Sequence, residues 1–201
     1  MANILEANPS IVNLALGEAD KAPYYQVIHD HVGAFGLDMG DLAKPAHTPP
    51  FEIHTFGPAS HKPPIRLSPP HAKVMNDQLT ELLTNKLVVK GPTPWASPAF
   101  LTPKPRSEKL RTVIDFRQLN LQTRRDSHPL PHTRDVILKV AGRPTYCKLD
   151  LMSGFWQMAV DPDSQPKTGV CTPDTLFYWT RLPFGVRNGP AAFQRAIQDT
   201  L

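Results

Sequence analysis

The spacing of apolar residues changes its period along the chain, and each period predicts an element. After Ser68 it is helical, with Met75, Leu79, Leu82 and Leu83 at i, i+4, i+7 and i+8. Ser68 suits an N-cap and Pro69 the first helical position, so a helix is expected to run to about Asn85-Lys86. Leu87–Val89, Ala99–Thr102 and Leu110–Phe116 then read as strands, the last two flanking a basic loop at 103–109. A short helix is expected from Thr133 to a stop at Gly142. Thr145–Leu151 alternates, with Tyr146, Lys148 and Asp150 on one face and Cys147, Leu149 and Leu151 on the other, which predicts a strand. Gln157–Val160, Lys167–Thr172 and Phe177–Leu182 read as further strands, the last two joined as a hairpin at Pro173-Asp174-Thr175. Asn188 and Pro190 open a final helix carrying Phe193, Ala196, Ile197 and Leu201 on one face. The class this predicts is α+β, without an internal repeat.

Proline divides the chain further. Residues 1–40 hold two prolines, 41–110 hold thirteen and 111–201 hold eight. Weak apolar clusters at Ile11–Leu16 and Val27–Leu37 allow one or two short helices. Lys44–Pro70 reads as extended, because each X-Pro pair disfavours helix. The expected organisation is a loosely packed, partly extended arm over 1–61 and a domain over 62–201. Leu201 follows no Gly, Asn or Pro stop signal, so the sequence is expected to be a piece cut inside a helix.

Composition narrows the class. At 201 residues with 20% charged and 40% hydrophobic residues, the chain can bury a core without disulfides. No apolar run approaches the ~18 residues of a membrane span, and Met1–Glu6 lacks the basic start of a secretory signal. Cys147 and Cys171 form no CxxC pair; they are expected to be reduced, buried thiols in an intracellular, non-secreted protein.

Charge is unevenly placed. Residues 1–65 hold three Lys/Arg against seven Asp/Glu, whereas 66–201 hold nineteen against eleven. Eleven basic residues fall within 104–148 alone, a pattern of either a solvated face or a polyanion footprint. Several catalytic patterns are missing: no Asp-Thr/Ser-Gly triplet, no phosphate-cradling glycine motif and no GxSxG elbow occurs. His128 and His132 are separated by prolines that forbid the helix needed to align two metal ligands. One candidate carboxylate stands out, Asp150 at the end of the Thr145–Leu151 strand, able to offer oxygen to Mg²⁺ if further ligands arrive from elsewhere.

Five segments around this carboxylate carry a resemblance. They are Pro94–Pro98 (PWASP), Leu110–Asn120 (LRTVIDFRQLN), His128–Pro131 (HPLP), Lys148–Phe155 (KLDLMSGF) and Leu182–Gln194 (LPFGVRNGPAAFQ). In order and spacing they resemble the reverse transcriptase of gypsy-type long-terminal-repeat retrotransposons, over roughly 62–201. The resemblance implies a right-hand polymerase, of which this sequence would be the fingers and the first part of the palm.

The resemblance also implies roles. Asp150 would be the first palm carboxylate, holding Mg²⁺ (or Mn²⁺) beside the carbonyl of Leu151. Lys104 and Arg111 would grip the triphosphate of an incoming deoxynucleotide. Phe155, where Tyr is more frequent, would lie under its sugar and exclude a ribose 2′-OH. Phe184, where some relatives carry Gln, would line the same pocket. Arg117, Asn120, Gly185 and Arg187 would lie on the template and primer side. The Asp-Asp motif would lie past Leu201, as would the thumb, RNase H and integrase of a Pol polyprotein. Implied partners are an RNA or DNA template-primer, deoxynucleoside triphosphates and the rest of that polyprotein, with no membrane. The implied place is the cytoplasm or a virus-like particle. Two other readings stay open: a non-catalytic nucleic-acid-binding relic, and an unstable piece without function.

Overall fold

The structure is a computed structural model that describes residues 17–36, 39–143, 146 and 148–200. It separates into two compact units, Met1–Leu42 and Ala43–Leu201. The first unit contains helix α1 (Glu18–Asp30), with Pro23 inside it, and a 3₁₀ turn at Val32–Ala34. The Ile11–Leu16 cluster lies outside the described residues.

The second unit is built on α2 (Pro69–Thr84) and a five-stranded sheet. The strands are β1 (Val88–Lys90), β2 (Ser97–Pro103), β3 (Leu110–Ile114), β4 (Val170–Cys171) and β5 (Leu176–Trp179), in the spatial order β1-β5-β4-β2-β3. All pairs are antiparallel except β2 with β4. Three helices complete it: α3 (Arg117–Gln122), α4 (Thr133–Val140) and α5 (Gly189–Thr200). The α2 helix buries Met75 and Leu79 as its periodicity requires. It also treats the edge of β3: Gln78 donates to the Leu110 carbonyl (2.9 Å) and accepts from the Thr112 N–H (2.9 Å). An edge strand would otherwise offer those groups for pairing with another chain.

The expected α2, the β2–β3 pair, the β4–β5 hairpin and the terminal helix all occur, with the expected 103–109 loop starting one residue later because Pro103 pairs with Leu110. Leu201, placed on that helix by its spacing, lies outside the described residues. Three expected strands do not form as expected. Of Thr145–Leu151, Thr145 and Cys147 lie outside the described residues, and Tyr146 and Lys148–Leu151 are exposed irregular backbone, with Leu149 80% exposed. Alternation gives a segment a strand's side-chain pattern, but a strand also needs a neighbour's backbone, and no described strand lies alongside. At 157–160 only single bridges form, Ala159 to Arg181 and Val160 to Phe51, after a 3₁₀ turn at Gly154–Gln157. Lys167–Thr172 shrinks to the two residues of β4, because Thr168 closes a 3₁₀ turn through Gln165 (2.7 Å) and receives the Trp179 N–H (2.8 Å).

The expected arm boundary at 61 also differs, since residues 43–61 belong to the second unit. After Ala43, which ends a 3₁₀ turn begun at Met39, this stretch is a strap without helix. Its backbone bonds in turn to Gln157 (from Ala46, 2.7 Å), Ala159 (from Phe51, 2.8 Å) and Gln122 (from Phe56, 3.0 Å). Its Phe51 is buried and its Ile53 fully buried, and Ser164 Oγ accepts the Ile53 N–H at 2.9 Å. Proline kept this strap out of helices, but its alternating side chains still found a core. Cys171 is a free, buried thiol, raised in pKa by that burial; Cys147 lies outside the described residues.

Candidate nucleotide-pocket site

The segment Leu182–Arg187 positions the best-defined part of the candidate site. Leu182, Pro183 and Val186 are buried, which leaves Phe184, Gly185 and Arg187 at the surface. Gly185 takes a positive φ (91°) at the turn. Phe184 is 54% exposed, unusual for a ring of that size with a core nearby. It stacks on Phe155 with centroids 5.1 Å apart and planes at 28°, and meets Trp156 edge-on at 5.8 Å. Phe155 arrives on the 3₁₀ turn that Ser153 starts from a left-handed conformation (φ 45°). Sequence reasoning therefore assigned two residues, Phe155 and Phe184, that the fold brings into direct contact.

Asn120 on α3 holds the turn beside them. Its amide donates to the Gly185 carbonyl (2.8 Å) and its Oδ1 accepts the Arg187 N–H (2.8 Å). Arg187 reaches back to the carbonyls of Asn120 (3.1 Å) and Thr123 (3.3 Å). Asn188 makes the reciprocal clasp, donating to the Arg124 carbonyl (2.7 Å) and accepting the Asp126 N–H (3.1 Å). Asn120, Gly185 and Arg187 are thus joined by hydrogen bonds. The spacing marks Asn188 only as a helix opener and carries no signal for this side-chain role.

Arg117 forms a bidentate pair with Asp115 (2.7 and 2.8 Å), which Lys62 joins at 3.3 Å. The Asp115 side chain is 9% exposed, and the Arg117 guanidinium, aided by Lys62, holds its carboxyl well below the usual carboxylate range despite burial. Asp115 lies inside the LRTVIDFRQLN segment, and its place one residue before the buried Phe116 is the signal the sequence offers for it.

The remaining assigned residues stand apart. Arg111 pairs in register with Thr102 on the β2–β3 hairpin and donates to its hydroxyl at 3.3 Å. Lys104 begins the loop of the same hairpin, its N–H on the Lys109 carbonyl (2.8 Å), and both cationic side chains are exposed. Asp150 and Leu151 sit in the exposed irregular segment. Among the described residues no group of three or more His, Cys, Asp or Glu could hold a metal ion. Asp150 therefore fits as one hard oxygen donor of a Mg²⁺ site, not as a complete site.

A cleft of about 390 Å³ lies elsewhere in this unit, between the strap at Pro49–Glu52 and α5, and none of the assigned residues lines it. Its charges are largely matched, as in the Arg195–Asp126 pair at 2.8 Å. Among the described residues no helix is long and apolar enough to cross a membrane.

Residues 102–201 match the family model described as reverse transcriptase (RNA-dependent DNA polymerase). The genome polyprotein of Petunia vein clearing virus is 36% identical over 135 residues, 65% of this chain and 6% of that polyprotein. The retrovirus-related Pol polyprotein from transposon 297 of Drosophila melanogaster is 33% identical over 139 residues, 67% of this chain and 13% of its own length. Among solved structures, the prototype foamy virus protease-reverse transcriptase superposes with a TM-score of 0.82 at 21% identity, over 96% of this chain and 26% of that one. The foamy viral enzyme in complex with an RNA/DNA hybrid superposes with a TM-score of 0.80 at 19% identity, with the same two shares. The chain thus spans a small part of the length of these relatives, and the fold they share is the fingers and palm of a polymerase. Residues 102–201 belong to the family described as reverse transcriptase (RNA-dependent DNA polymerase).

Proposed function

We propose that this chain supplies the fingers and first part of the palm to the RNA-directed DNA polymerase of a gypsy-type long-terminal-repeat retrotransposon. The observation that carries the reading is the exposed Phe184 stacked on Phe155 beside the turn that Asn120 pins. It is a rigid apolar floor suited to a sugar and base, in the same folded unit as the cationic β2–β3 hairpin.

In this reading Phe155 abuts the deoxyribose and leaves no room for a 2′-OH. Lys104 and Arg111 neutralise the triphosphate, since phosphoryl transfer relies on such fixed charge. Asp150 and the Leu151 carbonyl hold Mg²⁺, or Mn²⁺; the ion, when bound, offsets charge on the transferring phosphate. Two-ion chemistry needs further carboxylates, which the remaining palm contributes. Arg117, through Asp115, and Asn120, through Gly185 and Arg187, shape the template side. The partners are an RNA or DNA template-primer, deoxynucleoside triphosphates, and the thumb, RNase H and integrase of the same polyprotein. The relative solved with an RNA/DNA hybrid supports the template-primer assignment. The setting is intracellular, in cytoplasm or a virus-like particle, with the residues before the polymerase as a spacer.

Primer extension tests this. The 201-residue chain should extend no primer with Mg²⁺ or Mn²⁺, and the chain joined to a downstream palm and thumb bearing the Asp-Asp pair should. Asp150→Asn in the joined protein should abolish extension while template-primer binding survives, because phosphate contacts supply most of that affinity. Robust extension by the Asn variant would remove Asp150 from the metal role. Extension by the chain alone would overturn the division of the site.

A further inference from the structure

The Phe155 ring is held from a second direction. Phe193, on α5, meets it edge-on with centroids 5.1 Å apart and planes at 68°. The same Phe193 ring covers the neighbouring residue: a Cβ placed on Gly154 would lie 2.6 Å from Phe193 Cζ and 3.2 Å from Cε2. Gly154 has no left-handed φ, so its backbone does not demand glycine. The space for its side chain is simply filled by the tip of the Phe193 ring. That ring cannot swing away freely, because Phe155 bounds it and α5 is tied down by the Arg195–Asp126 ion pair and the Asn188 clasp.

We infer that Phe193 is a positioning residue: its ring, seated over Gly154, sets where the Phe155 ring stands and thereby sets how strictly a ribonucleotide is refused. The inference rests on the sugar-contacting reading of Phe155 above. A steric filter works only if the blocking ring cannot yield, and a ring braced by Phe184 on its face and Phe193 at its side has little room to do so. Offset-stacked and edge-to-face pairs are the arrangements aromatic rings prefer, so the brace costs no strain.

The first measurement uses the 201-residue chain. Urea unfolding of Gly154→Ala, Phe193→Leu and the double variant should show that the double costs less than the sum of the singles, because leucine vacates the space the new methyl needs. Strict additivity would overturn the interlock. The second uses the polymerase formed by joining the chain to its downstream palm and thumb. Phe193→Leu should lower the ratio of kcat/KM for dTTP over UTP roughly two- to tenfold, the range one aromatic pair converts to. Deoxynucleotide kcat should stay close to that of the parent. Phe193→Met, unbranched and similar in volume, should lower the ratio too and serves if the leucine variant does not fold. An unchanged ratio in both, with the ratio lowered by Phe155→Val, would overturn the positioning role alone. An unchanged ratio in Phe155→Val as well would defeat the sugar-contacting reading and this inference with it. No extension by the parent polymerase would defeat both.

Discussion

Asn120 and Arg187 hold each other by both backbone and side chain: Asn120 Oδ1 accepts the Arg187 N–H at 2.8 Å, and the Arg187 guanidinium returns to the Asn120 carbonyl at 3.1 Å. With the Gly185 carbonyl as a third member, one asparagine amide acts as a short length of strand for a turn that has none. Replacing it by alanine strips a donor and an acceptor at once. Asn120→Ala should cost about 1–3 kcal/mol, read as a lower urea midpoint with an unchanged slope. Asn120→Asp keeps the acceptor only and should fall between the two. A midpoint equal to the parent for Asn120→Ala would mean the turn stands without the clasp.

Asp115 gives the chain an acid-sensitive joint. Its carboxyl pKa is lowered by Arg117 foremost and by Lys62, so its contribution is present above the ordinary value of about 3.9 and is lost as pH falls from about 4 toward the lowered folded value. Stability measured from pH 6 downward should therefore drop below pH 4. Asp115→Asn should be less stable at neutral pH and should show a shallower acid decline. Parallel declines in the two proteins would place the acid sensitivity elsewhere.

The strap is part of the folded unit. Ile53 is fully buried, and Ile53→Ala should cost about 2–4 kcal/mol, seen as a clear fall in Tm. A truncated chain beginning at residue 102, where the family match begins, lacks the strap, α2, β1 and most of β2. It should give no cooperative melt.

All eleven basic residues between Lys104 and Lys148 are exposed. If they contact phosphates, affinity for a template-primer duplex should fall steeply between 50 and 200 mM salt, by roughly tenfold or more, with little dependence on base sequence. A flat response would assign these charges to solvation alone.

Helix α4 is exposed along its whole length and carries Val136, Ile137, Leu138 and Val140, while Tyr146, Leu149 and Leu151 follow it, also exposed. So much apolar surface in one stretch favours self-association. The isolated chain should elute partly as aggregate, and Ile137→Lys with Leu149→Lys should shift it toward monomer on size-exclusion chromatography. A monodisperse parent at tens of micromolar would contradict this.

The sequence by itself determined the elements whose stabilising contacts are local. The α2 helix carries its own proline start and apolar stripe, although Ser68 turns its hydroxyl to His71 (2.9 Å) and caps no backbone N–H. The β4–β5 hairpin carries its own turn, so both follow from residues near in the chain. Family membership was legible for a related reason: the five motifs are short runs, each readable without knowing what it touches. Only the tertiary structure decided the rest. Thr145–Leu151 has a strand's alternation, but its described residues have no described strand beside them, and alternation without a partner backbone makes no strand. The strap looked like a linker because proline barred helix, yet burial of Phe51 and Ile53 under residues more than a hundred positions away made it core. The side-chain clasps of Asn120 and Asn188 span 62 to 67 residues, and the brace of Phe155 by Phe184 and Phe193 joins three separate segments. Such contacts leave no period in the sequence, because the partners meet only after the chain has folded.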